Sequence, residues 1–519
     1  MPDASCAAAV VLAAGQGTRM RSRTPKVLHR LAGRSMVAHA LATASAIGAA
    51  RVCVVVRHDR DRVAEHVREI APEAVVADQD EVPGTGRAFA CALAVLDAAG
   101  GPPLGGRVVV TYGDVPLLRP QTLAALLAAD PQAAVTVLTA VVDDPTGYGR
   151  VVRDDAGDVA GIVEHRDADP ATRRVREVNS GVYALDLAFA RDAVGRLEPS
   201  NAQGELYLTD VVALARADGR RVAAVVADDP HELEGVNDRG QLAAARRRLN
   251  DRLLADLMSA GVDVEDPATT WIDARVAVAA DAVLRPGSHL EGDTVVESGA
   301  VVGPATTLVD SRVRAGAHVL RSHVVGADIG PGARVGPFSH LRPGTVLAAG
   351  AKVGAYVETK NATVGEGAKV PHLSYVGDAT VGRGANIGAG TIVANYDGVA
   401  KHATEVGDHA RIGSNTVLVA PVAVGPGAYT AAGSVVHGEV PAGALAVARG
   451  RLHVSEDWVA RRRAGTPADE AARTAARGAP ERGQGGQNGA NRAPHGSTDR
   501  PPTARTTRHP DDSIEGEGA

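Results

Sequence analysis

The stretch DIGPGARVGPFSHLRPGTVLAAGAKV, residues 328–353, returns an aliphatic side chain at every sixth position. A period of six fits neither the roughly 3.6-residue turn of a helix nor the two-residue alternation of a simple strand. It is the hexapeptide repeat of a parallel β-helix, in which three short strands build one triangular coil of about 18 residues. The stretch therefore predicts a β-helix. Its repeat positions are Ile329, Val335, Leu341, Leu347 and Val353.

The same period continues in phased runs on both sides. Each aliphatic residue is expected to point into the prism, and the glycine that often follows it to lie at a corner where a Cβ atom would clash. Over residues 276–435 this predicts about nine coils and a rod ~43 Å long. The period breaks near 354–364 and at 394–405, where residues 395–398 are expected to project. The other repeat positions are Val295, Val301, Thr307, Val313, Val319, Val325, Val364, Val370, Val376, Val381, Ile387, Val393, Val406, Ile412, Leu418, Val424 and Thr430.

Length and composition narrow the class of protein. At 519 residues the chain is too long for one hydrophobic core. Its net charge of −6 gives no general attraction to nucleic acid or to a membrane surface. It has no apolar run long enough to span a bilayer, and its first residues lack the basic region and cleavage pattern typical of a signal peptide, so neither is expected. The cysteines Cys6, Cys53 and Cys91 are too widely spaced for a disulfide framework or a zinc site, so we expect a cytoplasmic protein.

Residues 6–236 alternate short apolar segments with segments of helical spacing. This alternation predicts a mostly parallel sheet with helices on both faces, and such sheets bind ligands at the carboxyl ends of their strands. The predicted strands are 10–14, 52–56 and 108–112, and the predicted helices are 36–48, 85–99 and 121–128.

A glycine-rich segment, residues 12–20, follows the first predicted strand directly. Its backbone N–H groups can approach phosphate oxygens, while Arg19 and Lys26 supply positive charge. The segment matches neither the dinucleotide-binding fingerprint nor the Walker loop. Asp114, just beyond the strand 108–112, is placed to hold Mg²⁺ against a triphosphate, although an aspartate there could also cap the next helix.

Later turns carry single polar side chains that suit sugar hydroxyl groups. They comprise the segment 146–150, Glu164 and Asn179, and each could equally be an ordinary turn. Asn237 ends the domain as a candidate second metal ligand.

The spacing of residues 238–260 predicts one amphipathic helix between the domains, closed by Gly261. Its arginines at 246–248 are expected to form a solvated face. From about residue 465 onward Ile514 is the only large aliphatic residue, so this segment is expected to be disordered. The predicted domains are 1–236 for nucleotide binding, 237–262 for the linker helix, 263–453 for the β-helix and 454–519 for a largely disordered C-terminal extension.

Residues able to do chemistry gather around the interruptions of the β-helix. His372 lies three residues before Tyr375, in a pattern otherwise made of small residues. This favours a general base over an ordinary surface histidine. The whole group is Arg342, Lys360, His372, Tyr375, Asn386, Asn395 and Tyr396.

The motifs of both halves resemble one enzyme family. LAAGxGTRM, PKVLH, GTG, YGDVPL, DPTGYGR, GIVEH and EGVN look like a nucleotidyltransferase that makes UDP-sugars. With GPFxxLRPG, VExK, HLSYVGD, NIGAGTIVANYDG, IGSNT, LVAPV and AAGS, the chain is similar to the bifunctional bacterial N-acetylglucosamine-1-phosphate uridylyltransferase / glucosamine-1-phosphate N-acetyltransferase family over residues 8–453. The resemblance implies a Rossmann-like nucleotidyltransferase domain plus a left-handed parallel β-helix, a homotrimer, and a product used for peptidoglycan and other cell-envelope synthesis.

For the first domain, the resemblance implies Mg²⁺-dependent uridylyl transfer from UTP to N-acetylglucosamine-1-phosphate. Arg19 and Lys26 would assist catalysis, Gln79 would read the uracil edge, and Asp114 and Asn237 would hold the metal. The implied nucleotide and UDP-sugar site consists of Leu12, Ala13, Ala14, Gly15, Lys26, Gln79, Gly84, Thr85, Tyr112, Gly113, Asp114, Gly149, Glu164, Asn179 and Asn237.

For the second domain, the resemblance implies acetyl transfer from acetyl-CoA to glucosamine-1-phosphate. His372 would take a proton from the attacking amino group, and the N–H of Ala389 would stabilise the oxyanion. The sugar phosphate would be bound by Arg342, Lys360, Tyr375 and Asn386. The coenzyme A site would consist of Ala389, Asn395, Tyr396, Ser414, Ala432 and Arg449.

Two departures from the family pattern are Arg87, where histidine is usual, and Ser180, where threonine is commoner; both are expected to alter kinetics at most. One alternative is a single-activity sugar-1-phosphate nucleotidyltransferase with a structural β-helix, and the polar group around His372 argues against it. Another is a non-catalytic scaffold, which would be free to lose Arg19, Lys26 or Asp114, and all three are present.

Overall fold

A computed structural model describes residues 6–99, 104–201 and 203–478. No helix among these residues is both long and apolar enough to cross a bilayer. The N-terminal half contains eleven strands and seven α-helices in its described part, in the following order: β1 Cys6–Leu12, β2 Arg30–Leu31, β3 Arg34–Ser35, α1 Met36–Ala46, β4 Arg51–Val56, α2 Arg60–Ile70, β5 Val75–Asp78, α3 Thr85–Ala98, β6 Arg107–Tyr112, α4 Pro120–Ala128, β7 Val135–Val141, β8 Arg150–Arg153, β9 Val159–Val163, β10 Glu177–Asp186, α5 Leu187–Val194, α6 Asp210–Ala217, β11 Val222–Val226 and α7 Arg239–Ser259.

The main sheet has the strand order β11-β7-β10-β6-β1-β4-β5, and β8 and β9 extend it from β10. Strands β6, β1, β4 and β5 are parallel, while β10 runs antiparallel to both of its neighbours, β6 and β7. The central strands β1, β4 and β6 are mostly apolar and almost wholly buried, as expected for strands with helices on both faces. The N–H of Gly113 donates to the carbonyl of Leu12 at 2.9 Å, which joins the carboxyl ends of β6 and β1. The predicted mostly parallel sheet is confirmed.

The C-terminal half is a β-helix in which every pairing between strands is parallel in the described part. One face stacks eleven strands rather than about nine, because the coils extend beyond residues 276–435 at both ends. This face consists of Asp263–Val264, Val283–Leu284, Val301–Val302, His318–Val319, Arg334–Val335, Lys352–Ala355, Lys369–His372, Asn386–Ile387, Arg411–Ile412, Tyr429–Thr430 and Leu445–Ala446.

The other two faces form one continuous sheet, since several strands run across the corner between them. Its strands are Trp271–Ile272, Ala277–Val278, His289–Glu291, Val295–Val296, Thr307–Val309, Arg312–Val313, His323–Val325, Asp328–Ile329, His340–Leu341, Val346–Leu347, Glu358–Val364, Tyr375–Val381, Ile392–Ala394, Thr404–Val406, Val417–Val424 and Val435–Val440.

The predicted phase of the repeat was wrong by one residue in the first coils. The buried residues there are Val296, Val302 and Leu308, next to the predicted Val295, Val301 and Thr307, and Val324 replaces Val325. Valine doublets at 295–296 and 301–302 give the sequence two equivalent phases. The coil length also changes, since Val283 pairs with Val301 but Val301 pairs with His318, one residue fewer. The other predicted repeat positions are buried.

The two predicted interruptions differ in kind. Near 354–364 the period breaks as predicted, because the buried Val364 follows the buried Thr359 after five residues, but the strands continue through the break. Thr359 takes the inward position, with its hydroxyl 2.9 Å from that of Thr345. At 394–405 the chain does leave the prism, as predicted. Tyr396 and Lys401 pair across the projecting loop, and Val399 near its tip is 91% exposed.

Helix α7 links the two halves, and Asp238 caps its start by accepting a hydrogen bond from the N–H of Gln241. Its arginines are not a merely solvated face, contrary to the prediction. Arg246 donates to the carbonyl of Arg30 at 2.8 and 2.9 Å, while Arg247 donates to that of Ala268 at 3.0 Å. The helix is therefore bound to the nucleotidyltransferase half and to the first coil of the β-helix.

The chain divides after Arg449 into two compact units. The second unit contains the helices α8, Trp458–Arg462, and α9, Pro467–Gly478. The predicted disorder was wrong for 467–478. Proline occupies the first position of α9, Asp469 and Glu470 lie in its first turn, and alanine dominates the rest, so local propensity favours a helix. Residues 479–519, including Ile514, lie outside the described part.

Candidate functional site

A cavity of about 340 Å³ opens at the carboxyl ends of β1 and β6. The predicted nucleotide-binding residues that line it are Leu12, Ala13, Ala14, Gly15, Lys26, Gln79, Gly84, Thr85, Tyr112 and Asp114. Sequence reasoning missed other lining residues, namely Gln16, Val27, Arg57, His58, Pro83, Ala88 and Glu205. Gln16 and Val27 lie inside the LAAGxGTRM and PKVLH motifs, whereas the other five belong to no motif and are brought to the cavity by the fold.

The glycine-rich segment leaves room beside this cavity. A Cβ atom on Gly15 would meet nothing within 4 Å, so the backbone there faces open space. Gly17 has φ +66°, and a Cβ atom on it would lie 2.5 Å from the Cβ of Lys26. Glycine at 17 thus allows Lys26 to pass close to the segment. Arg19 lies in the exposed turn Thr18–Met20 and does not line the cavity, so the structure does not bring it to the other predicted residues.

Two oxygen atoms from distant segments converge on one cation. The ammonium group of Lys26 forms an ion pair with Asp114 and a 2.8 Å hydrogen bond with Oδ1 of Asn237. The side chains of Lys26 and Asp114 are only 10% and 19% exposed. Mg²⁺ is typically bound by one or two carboxylates together with phosphate oxygens and water. The side-chain oxygens of Asp114 and Asn237 fit such an ion, and the Lys26 ammonium occupies the position between them.

The residues predicted to bind the sugar, Gly149, Glu164 and Asn179, do come together. The N–H of Asn179 donates to the carbonyl of Gly149 at 2.8 Å, and a Cβ atom on Gly149 would lie 3.1 Å from Oε1 of Glu164. The side-chain oxygen of Asn179 accepts from the N–H of Gly181 and the hydroxyl of Tyr183, each at 3.0 Å. The amide NH₂ of Asn179 is therefore the end left to meet a ligand.

Tyr112 stands between the nucleotide cavity and this sugar cluster. Burial raises its pKa far above the usual range, and the charges of Asp114 and Glu164 add to the effect. Burial also raises the pKa of the Glu164 carboxyl, as do Asp167 and Asp210 nearby. The cluster is thus a poorly hydrated place for a negative charge, which favours hydrogen bonding to neutral hydroxyl groups.

Both departures from the family pattern have a structural explanation. The hydroxyl of Ser180 donates to the carbonyl of Leu138 at 2.6 Å and accepts from the N–H of Val182 at 3.0 Å. A threonine hydroxyl could make the same bonds, so this change is conservative. Arg87 lies in the first turn of α3 and binds the carboxylate of Asp80 through two of its nitrogens.

In the β-helix, one corner stacks four predicted residues on successive coils. They are His372, Ala389, Ser414 and Ala432. The carbonyls of the first three accept backbone hydrogen bonds of 2.7 to 3.3 Å from the next coil along the rod, and that of Ala432 accepts one from the Arg449 guanidinium at 3.2 Å. The His372 side chain is exposed at the end of this row, and the N–H of Ala389 donates no hydrogen bond within the described chain.

A cluster of cations lies on the neighbouring face. Arg342 and Lys360 occupy adjacent coils, and Glu358 holds the Arg342 guanidinium at 2.9 Å. Contact with the Lys401 ammonium lowers the pKa of Lys360, and the charge of Arg342 contributes. Lys401 was missed as a site residue. Two features of the sequence could have indicated Lys401: it lies in the predicted projecting loop, and it is one of only five lysines in the chain.

The remaining predicted residues lie at the edges of these two groups. Tyr375 pairs in register with Glu358, and Asn386 pairs with Lys369 on the face that carries His372. Asn395 is buried, and its amide binds Asp378. The hydroxyl of Tyr396 donates to the carbonyl of residue 398 within the loop, so no described hydrogen bond brings Tyr396 to the corner.

Comparison with known proteins agrees with this division. The family model described as a MobA-like NTP transferase domain matches residues 9–178, which contain the glycine-rich segment and Asp114. A bifunctional protein GlmU of Paenarthrobacter aurescens is 55% identical over 90% of this chain and 94% of its own length. Those of Kineococcus radiotolerans and Streptomyces avermitilis are 56% and 55% identical, over 90% and 91% of this chain and 95% and 98% of their own lengths. The chain belongs to the GlmU family of bifunctional proteins.

Membership of the GlmU family confirms the predicted resemblance, the predicted fold class and the prediction of a bifunctional transferase. The matched domain assigns nucleotidyl transfer to the N-terminal half. Nucleotidyltransferases of this family use a divalent metal, in agreement with the oxygen pair of Asp114 and Asn237.

Proposed function

We propose that the protein makes UDP-N-acetylglucosamine in two steps at two separate sites. The β-helix, residues 263–453, transfers an acetyl group from acetyl-CoA to the amino group of glucosamine-1-phosphate. The domain 1–236 then transfers a uridylyl group from UTP to N-acetylglucosamine-1-phosphate and releases pyrophosphate. The observation that carries the proposal is that each half brings its own group of predicted residues together, one at the sheet edge and one at a prism corner.

The orientation of Gln79 supports uracil as the base. Its side-chain nitrogen donates to the carbonyls of Val82 at 2.9 Å and Gly84 at 3.2 Å. Both partners are acceptors, so the amide nitrogen must face them and the oxygen is the end left for a base. Uracil offers an N3–H donor to that oxygen, whereas N3 of cytosine is an acceptor. The arrangement favours UTP over CTP.

Charge neutralisation and alignment are sufficient for the uridylyl transfer itself. The phosphate of N-acetylglucosamine-1-phosphate attacks the α-phosphorus of UTP, and pyrophosphate leaves. Asp114 and Asn237 would hold Mg²⁺, which would neutralise charge on the phosphates. The Lys26 ammonium would bind phosphate oxygens, and Arg19 would add charge from the rim. The Asn179 amide and Glu164 would align the acetylated sugar.

In the acetyl transfer, His372 is proposed as the general base. It accepts a proton from the amino group of glucosamine-1-phosphate as the nitrogen attacks the thioester carbonyl, and the proton can then pass to the departing coenzyme A sulfur. The free N–H of Ala389, next to His372 on the same corner, would donate to the oxyanion. Tyr375 and Asn386 would hold the sugar, and Asn395 would orient nearby groups.

The cation cluster supports a phosphate site for that sugar. Arg342, Lys360 and Lys401 place three positive charges together, with Asp378 as the carboxylate whose charge favours the protonated Lys360. Like charges repel, and a bound phosphate would relieve that repulsion. Glucosamine-1-phosphate has such a group, which distinguishes it from free glucosamine.

We also propose a homotrimer that works in the cytoplasm, where UTP and acetyl-CoA occur, and whose product is used in cell-envelope synthesis. Large apolar side chains stand on one corner of three successive coils, at Phe338, Tyr356 and Leu373, each at least 50% exposed. The first two rings stack at 5.2 Å. A row of this kind is typical of a protein–protein contact. The coenzyme A corner of a single chain is open, so a neighbouring prism would complete it.

One coupled assay tests the proposal. Purified protein would receive glucosamine-1-phosphate, acetyl-CoA, UTP and Mg²⁺, and free thiol and pyrophosphate would be followed separately. Release of both, with pyrophosphate dependent on prior acetylation, is expected. Pyrophosphate formed only from preformed N-acetylglucosamine-1-phosphate would instead indicate the single-activity nucleotidyltransferase. Neither product from a folded protein would indicate the scaffold.

A further inference from the structure

The segment 79–84 forms a wall of the nucleotide cavity through Gln79, Pro83 and Gly84. Among the described residues, the NH₂ group of Gln79 donates to two carbonyls of this same segment, those of Val82 and Gly84, and to no other element. The position of the amide that faces the base therefore depends on how residues 80–84 are folded. The contacts that fix the conformation of residues 80–84 therefore also fix the orientation of the amide that would bind the base.

The far end of the segment is fixed by backbone hydrogen bonds. The N–H of Leu206 donates to the carbonyl of Pro83 at 3.1 Å, and the carbonyl of Leu206 accepts from the N–H of Gly86 at 2.8 Å. A Cβ atom on Gly84 would collide with the backbone of Leu206. Gly84 has φ +117°, a region that only glycine adopts readily. This end is bound to its neighbour without any side chain.

The near end is held instead by charged side chains. The Arg87 Nε lies 3.1 and 3.0 Å from the two carboxylate oxygens of Asp80, and a terminal guanidinium nitrogen contacts one of them as well. Asp80 also accepts from the N–H of Val82 at 3.1 Å. Arg57, which also lines the cavity, donates to the carbonyl of Glu81 at 3.1 Å. Asp80 thus connects helix α3 to the residue whose carbonyl holds the Gln79 amide.

We infer that Asp80 and Arg87 form a positioning pair that sets the base-reading amide of Gln79. The inference rests on the proposed uridylyl transfer and deepens it. Arg87 acts through Asp80 and Val82, so it is a positioning residue and not a catalytic one. The Arg87 guanidinium is always charged and can bind both carboxylate oxygens of Asp80. The histidine that is usual at this position would make a single hydrogen bond to that carboxylate and would lose its charge near neutral pH.

Steady-state kinetics of the full-length enzyme test the pair. Arg87→Ala and Asp80→Ala should each raise the KM for UTP about fivefold, the effect of an exposed bidentate pair, with kcat within about twofold. The preference for UTP over CTP should fall by a similar factor. The double variant should be no worse than either single variant, because both remove one interaction. Arg87→His should bind UTP tightly below about pH 6 and lose that affinity above it.

Arg196→Ala is the matched control, since it breaks an exposed bidentate pair with Asp218, at 2.7 and 2.9 Å, made of residues that do not line the cavity. It should leave both the KM for UTP and the base preference unchanged. If the Arg87 and Asp80 variants match the wild-type KM and preference, the inference is wrong. It is equally wrong if they raise the KM for N-acetylglucosamine-1-phosphate as much as that for UTP. Failure of the wild-type enzyme to release pyrophosphate from UTP would contradict the proposed function instead.

Discussion

The two candidate sites of this chain are built in opposite ways. The nucleotidyltransferase site lies at the buried end of a sheet, where Lys26, Asp114 and Asn179 each meet partners from within the same domain. The acetyltransferase site lies on the outside of a prism, where the side chain of His372 is exposed. The carboxyl edge of a sheet can enclose a ligand with residues of a single chain, whereas a corner of the prism contacts a ligand from one side only. The first site is therefore enclosed by its own chain, whereas the second is the one that we propose a neighbouring copy completes.

The sharpest test of this separation is His372→Ala. Removing a general base lowers a rate by about 10²- to 10⁴-fold, so acetyl transfer should be nearly abolished. Uridylyl transfer from preformed N-acetylglucosamine-1-phosphate should remain within about twofold, because His372 has no part in the first cavity. The measurement is release of thiol and pyrophosphate from the same preparation. Loss of both activities in a folded protein would mean that the sites are not independent.

Asp114→Ala is the reciprocal change. It removes the carboxylate that pairs with Lys26 and is proposed to hold the metal, so pyrophosphate release should fall about 10²- to 10³-fold. Release of coenzyme A should be unchanged. Asp114→Asn keeps the shape of the side chain and separates loss of charge from loss of packing. If Asp114→Asn retains full uridylyl transfer, the proposed metal site is misplaced.

The substitution Lys26→Met tests whether the Lys26 ammonium and the metal ion compete for the position between Asp114 and Asn237. With the ammonium gone, the oxygens of Asp114 and Asn237 have no cation between them. Mn²⁺ should then bind to the nucleotide-free protein roughly tenfold more tightly than to the wild type, since removing a like charge favours a cation. Electron paramagnetic resonance of free Mn²⁺ measures this without turnover. Adding Asp114→Asn to the variant should cancel the gain, and equal affinity in wild type and Lys26→Met would show that the two cations do not share the place.

The comparison also shows what the sequence could predict. The six-residue period identified the β-helix because its geometry repeats, but the valine doublet at 295–296 concealed the phase of the first coils. The strand-end position of Asp114 indicated a metal site because parallel strands end at one edge. Contacts between distant segments could not be derived in this way: the binding of Arg246 to the carbonyl of Arg30 and the approach of Lys401 to Lys360 depend on packing. Composition alone was also misleading at Pro467–Gly478, where local helix signals were present.

The smallest expected effect concerns how far the buried Glu164 carboxylate lowers the stability of the first domain. Burial raises the pKa of Glu164 in the folded state. At a pH between the unfolded and the folded pKa, the folded state therefore holds a proton that the unfolded state has released. Stability from this group is then fully present below its unfolded pKa and is lost as the pH rises through the folded value. Glu164→Gln removes the penalty, and the first domain should melt about 1–2 °C higher at pH 7. The gain should shrink as the pH is lowered towards 4.

Calorimetry across that pH range measures the effect, and the KM for N-acetylglucosamine-1-phosphate should rise at the same time if Glu164 binds the sugar. Glu205→Gln provides the control, since Glu205 also lines the first cavity but is not among the carboxylates that act on Glu164, which are Asp167 and Asp210. The rise in melting temperature should be specific to the Glu164 variant. A Glu164→Gln variant that melts lower than wild type at pH 7 would show that burial of this carboxylate does not destabilise the first domain, and would contradict this prediction.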